Sequence, residues 1–271
     1  MNVLFVCTGN TCRSPMAEAL LKAKGLKNVN VMSAGLAANF EPISENSRKT
    51  LETRGIDYSD FISKPLTLEL IEKSDLIFCM SEGHKEALKN FDNVFVLGEG
   101  ISDPYGLPLP FYEECCAQIK GEIDGLIKEE IFLANESNFC DIADLEKQCF
   151  AHPWSENAIK EGYENNTHFL CFKQFGKVLG YVGVDTVLNE GYITNVAVSK
   201  SARRMGIGKK LLDALFDFAK KKGLAFLTLE VRESNLAARN LYEKCGYKQV
   251  GVRKNFYCDP KENAILLTRE V

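Results

Sequence analysis

Histidine is scarce in this chain, and no cysteine pair is spaced to hold zinc. Only His84, His152 and His168 occur in 271 residues, and the ten cysteines include no Cys-x-x-Cys. A metal site is therefore not expected. Nor do scattered cysteines in a chain of this length make the disulfide framework of a small secreted domain; apart from Cys7 and Cys12 they read as small buried apolar groups. No apolar run reaches the 18 or so residues of a membrane span, and the opening MNVLFVCTGN carries no basic leader. The expectation is a cytoplasmic protein with no membrane partner. A net charge of -4 leaves no excess of basic residues for a nucleic acid as direct partner. There is no internal repeat, low-complexity tract or Gly/Pro/Ser-rich linker.

What is present is a globular composition, 45% hydrophobic and 26% charged, at a length that predicts two domains. The first half alternates strand and helix. An apolar run at residues 3–6 reads as a strand buried on both faces. A helix over 15–24 follows, with Ser14 as N-cap, Pro15 at its first position and Gly25 as its stop. Strands are expected at 28–32, 75–80 and 93–97, and helices at 43–54 and 111–128. This rhythm predicts a doubly wound parallel sheet. Near residue 130 the pattern restarts: a helix at 142–150, strands at 169–174 and 178–185 around a Phe-Gly-Lys turn, a strand at 192–198, an amphipathic helix at 209–222, a strand at 225–231, a helix at 237–245 and two closing strands. The second half is expected to be a mixed-sheet α/β domain. The domains are placed at 1–129 and 130–271.

Between the first strand and first helix stands Cys7-Thr8-Gly9-Asn10-Thr11-Cys12-Arg13-Ser14-Pro15. The carboxyl end of a strand is where open α/β sheets place ligands. Backbone amides of such a loop and of a helix N-terminus can surround a phosphate. Gly9 and Asn10 tolerate positive φ, and the planar fork of Arg13 suits two phosphate oxygens. The same field should lower the pKa of the Cys7 thiol, the nucleophile. Ser14 is placed to bond that sulfur. Asp103-Pro104 follows the last strand of this half, so Asp103 can act as acid to a leaving group and then as base to water.

These residues, together with Met16-Ala17-Glu18 and Ser33-Ala34-Gly35, make the first half resemble the low-molecular-weight protein tyrosine phosphatase family. The resemblance implies Cys7 as nucleophile, Arg13 as phosphate binder, Asp103 as general acid, and Asn10 with Ser33 as loop support. It also implies a phosphocysteine intermediate, a phosphorylated protein as substrate, and a Cys12 able to trap Cys7 as a reversible disulfide. Thr11 stands where many tyrosine-specific members carry a larger aliphatic residue, and the loop is similar to that of the protein-arginine phosphatase branch. Phosphoarginine is favoured and phosphotyrosine kept as the alternative. The related arsenate reductases need a further redox cysteine pair, which Cys79, alone in an apolar strand, does not provide.

In the second half, Arg203-Arg204-Met205-Gly206-Ile207-Gly208 opens a helix, a pattern suited to a pyrophosphate. A strand carrying Asn195-Val196-Ala197-Val198 lies upstream. Glu230 alternates away from the aliphatic face of Leu227, Leu229 and Val231, while Asn235 and Tyr242, seven apart, are expected on one helix face. With Cys149-Phe150-Ala151-His152-Pro153-Trp154-Ser155, Leu241 to Tyr247 and Arg253 to Tyr257, these pieces make the second half resemble the GNAT acetyltransferases, and within them the bacterial enzymes that acetylate a ribosomal protein's amino-terminal alanine. The resemblance implies acetyl-CoA as cofactor and a ribosomal protein N-terminus as partner. It implies Glu230 as base, Tyr242 as acid, Asn235 as a cofactor contact, Val196 to Val198 pairing with pantetheine, and Arg203 to Gly208 on the pyrophosphate. A lysine or small-amine acetyltransferase, and a non-catalytic regulatory role for either half, are the competing expectations.

Overall fold

The opening apolar run becomes β1 (Asn2–Cys7), in which Val3, Leu4, Phe5 and Val6 are completely buried. A strand of this kind needs neighbours on both edges and cover on both faces. In the computed structural model, which describes residues 1–98 and 101–271, it has them. β2 (Asn30–Gly35) and β3 (Leu76–Cys79) flank it in parallel, and β4 (Val94–Val96) extends the sheet in the order β2-β1-β3-β4. Leu4, Val6, Ala34, Ile77 and Cys79 make one core face with Ile71 and Leu88. Phe5, Phe78 and Phe95 line the other, their neighbouring rings 5.9 Å apart.

The helices of this unit are α1 (Arg13–Lys22), α2 (Glu45–Glu52), α3 (Leu68–Lys73), α4 (Glu82–Glu86) and α5 (Leu109–Leu126). The expected cap at Ser14 is a correction: the helix begins two residues earlier, with Cys12 at the N-cap and no side-chain cap. The Ser14 hydroxyl is engaged inside the loop instead. α3 and α4 are not visible as sequence periodicity because each is under two turns long.

The chain divides into units Met1–Lys128 and Glu129–Val271. The second unit holds a seven-stranded sheet in the order β10-β11-β9-β8-β7-β6-β5. Its elements are β5 (Glu130–Leu133), α6 (Phe139–Cys149), α7 (Glu156–Glu164), β6 (Thr167–Gln174), β7 (Lys177–Val187), β8 (Glu190–Val198), α8 (Ile207–Lys222), β9 (Phe226–Arg232), α9 (Leu236–Lys244), β10 (Lys248–Cys258) and β11 (Lys261–Glu270). The β6–β7 turn has positive φ at both Phe175 and Gly176, as a tight hairpin requires. β5 and α7 are additions to the sequence expectation; Ser155 caps α7 through the Ala158 amide.

Two features of β8 position the second site. It pairs in parallel with β9 only at Glu190↔Phe226, Gly191↔Leu227 and Tyr192↔Thr228. Beyond Tyr192, β8 keeps β7 as its sheet neighbour and β9 keeps β11, so the two strands part. In the parting segment β8 is bulged: Thr194 and Asn195 lie opposite the single residue Gly183. A Cβ on Gly183 would lie 2.5 Å from Thr194 Oγ1, which explains the glycine there. Among the described residues, no helix is long and apolar enough to cross a membrane.

Candidate active sites

In the first unit the loop after β1 wraps back on the Cys7 sulfur. Asn10 takes φ 53°, turning its amide to donate to Cys7 Sγ at 3.2 Å. Gly9 was the other expected positive-φ residue and has none, so Asn10 makes the turn alone. Its side chain holds it there. Asn10 Nδ2 donates to Ser14 Oγ and Ser33 Oγ, both at 2.8 Å, and Oδ1 accepts from the Lys64 amide at 2.9 Å. Ser14 Oγ lies 3.0 Å from Cys7 Sγ, and the Ser33 hydroxyl donates to the buried Glu18 at 2.5 Å. A fully buried polar network is costly unless each member is paired, and this one is.

Gly35, register partner of Cys7, lies beneath the loop; a Cβ there would sit 2.6 Å from Thr8 O and 2.9 Å from Asn10 N. The Leu36 and Ala37 amides bond Cys7 O and Thr8 O at 3.0 and 2.8 Å. His84 supports the loop from the other side, with Nε2 at 2.8 Å from Thr8 Oγ1 and Nδ1 at 2.6 Å from Ser81 Oγ. Burial and the Arg13 charge hold its pKa below the usual histidine range, against a pull from Asp103. The sequence gives no role to Glu18, quoted only as part of the motif, or to His84, because their partners are distant in the chain.

Arg13 is 7% exposed and ion-paired with Asp103, whose side chain is half exposed. Asp103 also accepts from the Tyr105 amide at 3.2 Å. Nucleophile, guanidinium and carboxyl thus converge on one mouth. The expected lowering of the Cys7 pKa needs correction. Burial pushes the thiol up, and the hydrogen bonds from Ser14 and the Asn10 amide and the charge of Arg13, itself paired to Asp103, do not offset it. Cys12 Sγ lies 3.4 Å from Ser44 Oγ and 3.8 Å from Tyr112 Oη. Thr11 is half-buried, its hydroxyl 3.6 Å from where a Gly9 Cβ would stand. Cys79 is buried within β3, where burial pushes its thiol up to about 12.

In the second unit Gly206 is the N-cap of α8 at φ 86°, with open space where a Cβ would be. Gly206, Arg203 and Arg204 are exposed, whereas Ile207 is buried and offers only its backbone amide to a ligand. A Cβ on Gly208 would meet Leu241 Cδ2 at 2.9 Å, so a glycine there makes room for that α9 side chain. Val196 and Val198 are half-buried and Ala197 fully buried, on the β8 segment that has left β9. The parted strands and the open helix N-terminus fit an extended pantetheine and a pyrophosphate, so the residues present suit acetyl-CoA.

Glu230 stands exposed on the diverging end of β9, with Arg253 Nη2 at 3.3 Å from Oε1. Tyr242 is 7% exposed and packs edge-on to Tyr247 at 5.7 Å; burial raises its pKa, so the phenol keeps its proton at neutral pH. Asn235 is exposed and is the N-cap of α9, its Oδ1 accepting from Ala238 N at 3.2 Å. The expected common face with Tyr242 gives way to this capping role, which leaves only the Asn235 amino group for a ligand.

Each unit thus holds a strand-to-helix loop whose backbone suits an anion. The chain belongs to two enzyme families, one per unit. Residues 2–136 match the low molecular weight phosphotyrosine protein phosphatase family, and residues 139–247 the acetyltransferase (GNAT) family. The second part is 36% identical over 125 residues to the [ribosomal protein bS18]-alanine N-acetyltransferase of Escherichia coli K12, covering 45% of this chain and 84% of that protein. The crystal structure of the Escherichia coli ribosomal-protein-S18-alanine N-acetyltransferase superposes with a TM-score of 0.51 at 32% identity, covering 53% of this chain and 94% of that one. The first part is 37% identical over 146 residues to the protein-arginine-phosphatase of Bacillus subtilis 168, covering 48% of this chain and 93% of that protein.

Proposed function

We propose that this is a bifunctional enzyme: a phosphatase acting on phosphoarginine in proteins, joined to an acetyltransferase acting on a ribosomal protein's amino-terminal alanine. The observation that supports it most is the loop of the first unit, where the Cys7 sulfur accepts from the Asn10 amide and Arg13 pairs with Asp103; in the second unit the open N-terminus of α8 and the parting of β8 from β9 support it.

In the first site the loop amides and Arg13 hold the phosphoryl oxygens while Cys7 Sγ attacks phosphorus. The resting thiol is protonated, so its proton must leave as the sulfur attacks; the arriving phosphoryl dianion can accept it. The phosphoryl group replaces Asp103 on Arg13, and the released, half-exposed carboxyl takes a proton from solvent and passes it to the departing nitrogen or oxygen. The resulting carboxylate then takes a proton from the water that hydrolyses phosphocysteine. Thr8, Gly9, Asn10, Thr11, Cys12 and Ser14 form the cradle, and Ser33 braces it. Two observations favour phosphoarginine: the Thr11 hydroxyl beside Gly9, and the similarity to a protein-arginine-phosphatase. The test is kcat/KM on matched phosphoarginine and phosphotyrosine peptides, for the wild type and Thr11→Ile. Phosphoarginine should be preferred at least tenfold by the wild type, about 1.4 kcal/mol of discrimination, and the preference should narrow or invert in the variant. A wild type that prefers phosphotyrosine would assign the site to that substrate instead.

In the second site, acetyl-CoA supplies an activated thioester when bound. Val196, Ala197 and Val198 present strand backbone to its pantetheine. Arg203, Arg204, Met205, Gly206, Ile207 and Gly208 surround the pyrophosphate, and Asn235 adds its amino group. Glu230 takes the proton from the acceptor amine, and Tyr242 gives one to the departing sulfur. An α-amino group titrates near 8 and lysine near 10.4, so an exposed carboxylate acting through water suffices for the former. Acetylation of an amino-terminal alanine peptide of bS18 should exceed that of an internal-lysine peptide. Preference for lysine would point to the other acceptor class, and no transfer at all would leave this half a regulatory module.

A further inference from the structure

We infer that Glu146 is a positioning residue for acetyl transfer: from the floor of the second unit it fixes the β8 bulge and the 150–155 loop that flank the parted strands. The inference rests on the acetyltransferase reading above and adds a residue to it.

The β8 segment beyond Tyr192 has lost β9 as a neighbour. A half-strand held along one edge only is free to shift unless something else holds it. The end of α6 does so. Glu146, on α6, is completely buried and collects three donors. Asn195 Nδ2, in the bulge, donates to Oε1 at 3.0 Å. Tyr181 Oη, on β7, donates to the same oxygen. The Trp154 amide donates to Oε2 at 2.8 Å. Two further links run from α6 to the end of β8 and the residue after it: Cys149 Sγ lies 3.4 Å from Val198 O, and Ser199 Oγ lies 3.3 Å from Gln148 Oε1. The end of α6 therefore engages β8 at 195 and 198 and the next residue, Ser199, alongside the residues assigned to pantetheine.

A carboxylate placed in a core is a poor device for stability alone, since apolar side chains of similar volume would serve as well or better. Its value is geometric. A carboxylate with two oxygens accepts from several directions at once, so it fixes the bulge, the β7 hydroxyl and the loop leading into α7 relative to one another. Tyr181 is the internal control. It is fully buried and bonds the same carboxylate, but from β7, where backbone pairing with Cys171 on β6 and Ala197 on β8 holds it in place without its hydroxyl. Burial and the bond to Glu146 both push its pKa up, so it is a permanent donor.

The experiment measures acetyl-CoA affinity by calorimetry, whose stoichiometry counts competent sites. Thermal stability and steady-state kinetics are measured alongside, on the full chain as wild type, Asn195→Ala, Tyr181→Phe and Glu146→Gln. Tyr181→Phe and Asn195→Ala each remove one hydrogen bond to a buried carboxylate and should destabilise comparably. Only Asn195→Ala and Glu146→Gln should weaken acetyl-CoA binding, by about tenfold at full stoichiometry, with kcat per competent site also reduced. Tyr181→Phe should bind within twofold of the wild type. If affinity is unchanged in Asn195→Ala, or if affinity loss simply tracks stability loss across all three, Glu146 is a structural residue only and the inference is wrong. A wild type that binds acetyl-CoA but transfers nothing would overturn the proposed activity, while the binding comparison would still decide the role of Glu146. A wild type that does not bind acetyl-CoA would overturn both.

Discussion

Asn10 shows how much one side chain can determine. Its backbone takes the left-handed turn that aims an amide at Cys7, and its side chain spans Ser14, Ser33 and the Lys64 amide. Asn10→Ala removes three bonds and leaves buried donors and acceptors unpaired, each worth about 1–3 kcal/mol. The first unit should melt several degrees lower and lose most phosphatase turnover; a fully active variant with unchanged melting would contradict this. Gly35→Ala should act by a different route, driving a methyl into Thr8 O and Asn10 N. Overpacking of that kind costs about 1–3 kcal/mol, and KM for the phosphorylated substrate should rise as the cradle deforms. The Cys7 thiol gives a pH prediction. Its pKa is raised, so at neutral pH it is protonated and slow to alkylate. Iodoacetamide inactivation should accelerate as pH rises above the ordinary cysteine range near 8.5. The same sign means native stability falls at high pH, since the folded state holds this proton more tightly than the unfolded one. A rate of inactivation flat between pH 6 and 9 would mean that the thiolate is already present.

At the scale of elements, what the sequence revealed and what it hid divide along physical lines. β1, α1, α5, α8 and the β6–β7 hairpin were legible because each carries a continuous apolar run, a sustained period or a turn signal. α3 and α4 are too short for a period to register. The parting of β8 from β9 leaves no local trace either, because it is a matter of which strand pairs with which. The catalytic candidates were legible because motif spacing places them at strand ends. Of their supports, Asn10 and Ser33 were expected from the resemblance, but the roles of Glu18, His84 and Glu146 were not, since these act across 15, 76 and 49 residues of chain, on Ser33, Thr8 and Asn195. Gly208, expected on the pyrophosphate, also has a packing reason to be glycine, because a Cβ there would meet Leu241 of α9. Gly208→Ala should therefore lower thermal stability. Gly206→Ala should lower stability through its positive φ and should in addition lower ligand affinity, because no neighbour fills the open space at that N-terminus. Equal effects of the two on acetyl-CoA affinity would contradict that division.

For the whole molecule, the chain carries two units, each with its own sheet, core and cradle, and a phosphorylated side chain and a peptide amine share no intermediate. Nothing in either chemistry requires the other. The most direct measurement is therefore to assay both activities on the same purified full-length preparations of wild type, Cys7→Ser and Tyr242→Phe. Cys7→Ser should lose phosphatase turnover by on the order of 10³-fold or more while acetyl transfer stays at the wild-type rate. Tyr242→Phe should slow acetyl transfer by about 10²-fold or more while acetyl-CoA binding and phosphatase turnover are unchanged. Undiminished activity in either variant, or loss of both activities from a single substitution, would contradict the existence of two separate and independently working sites.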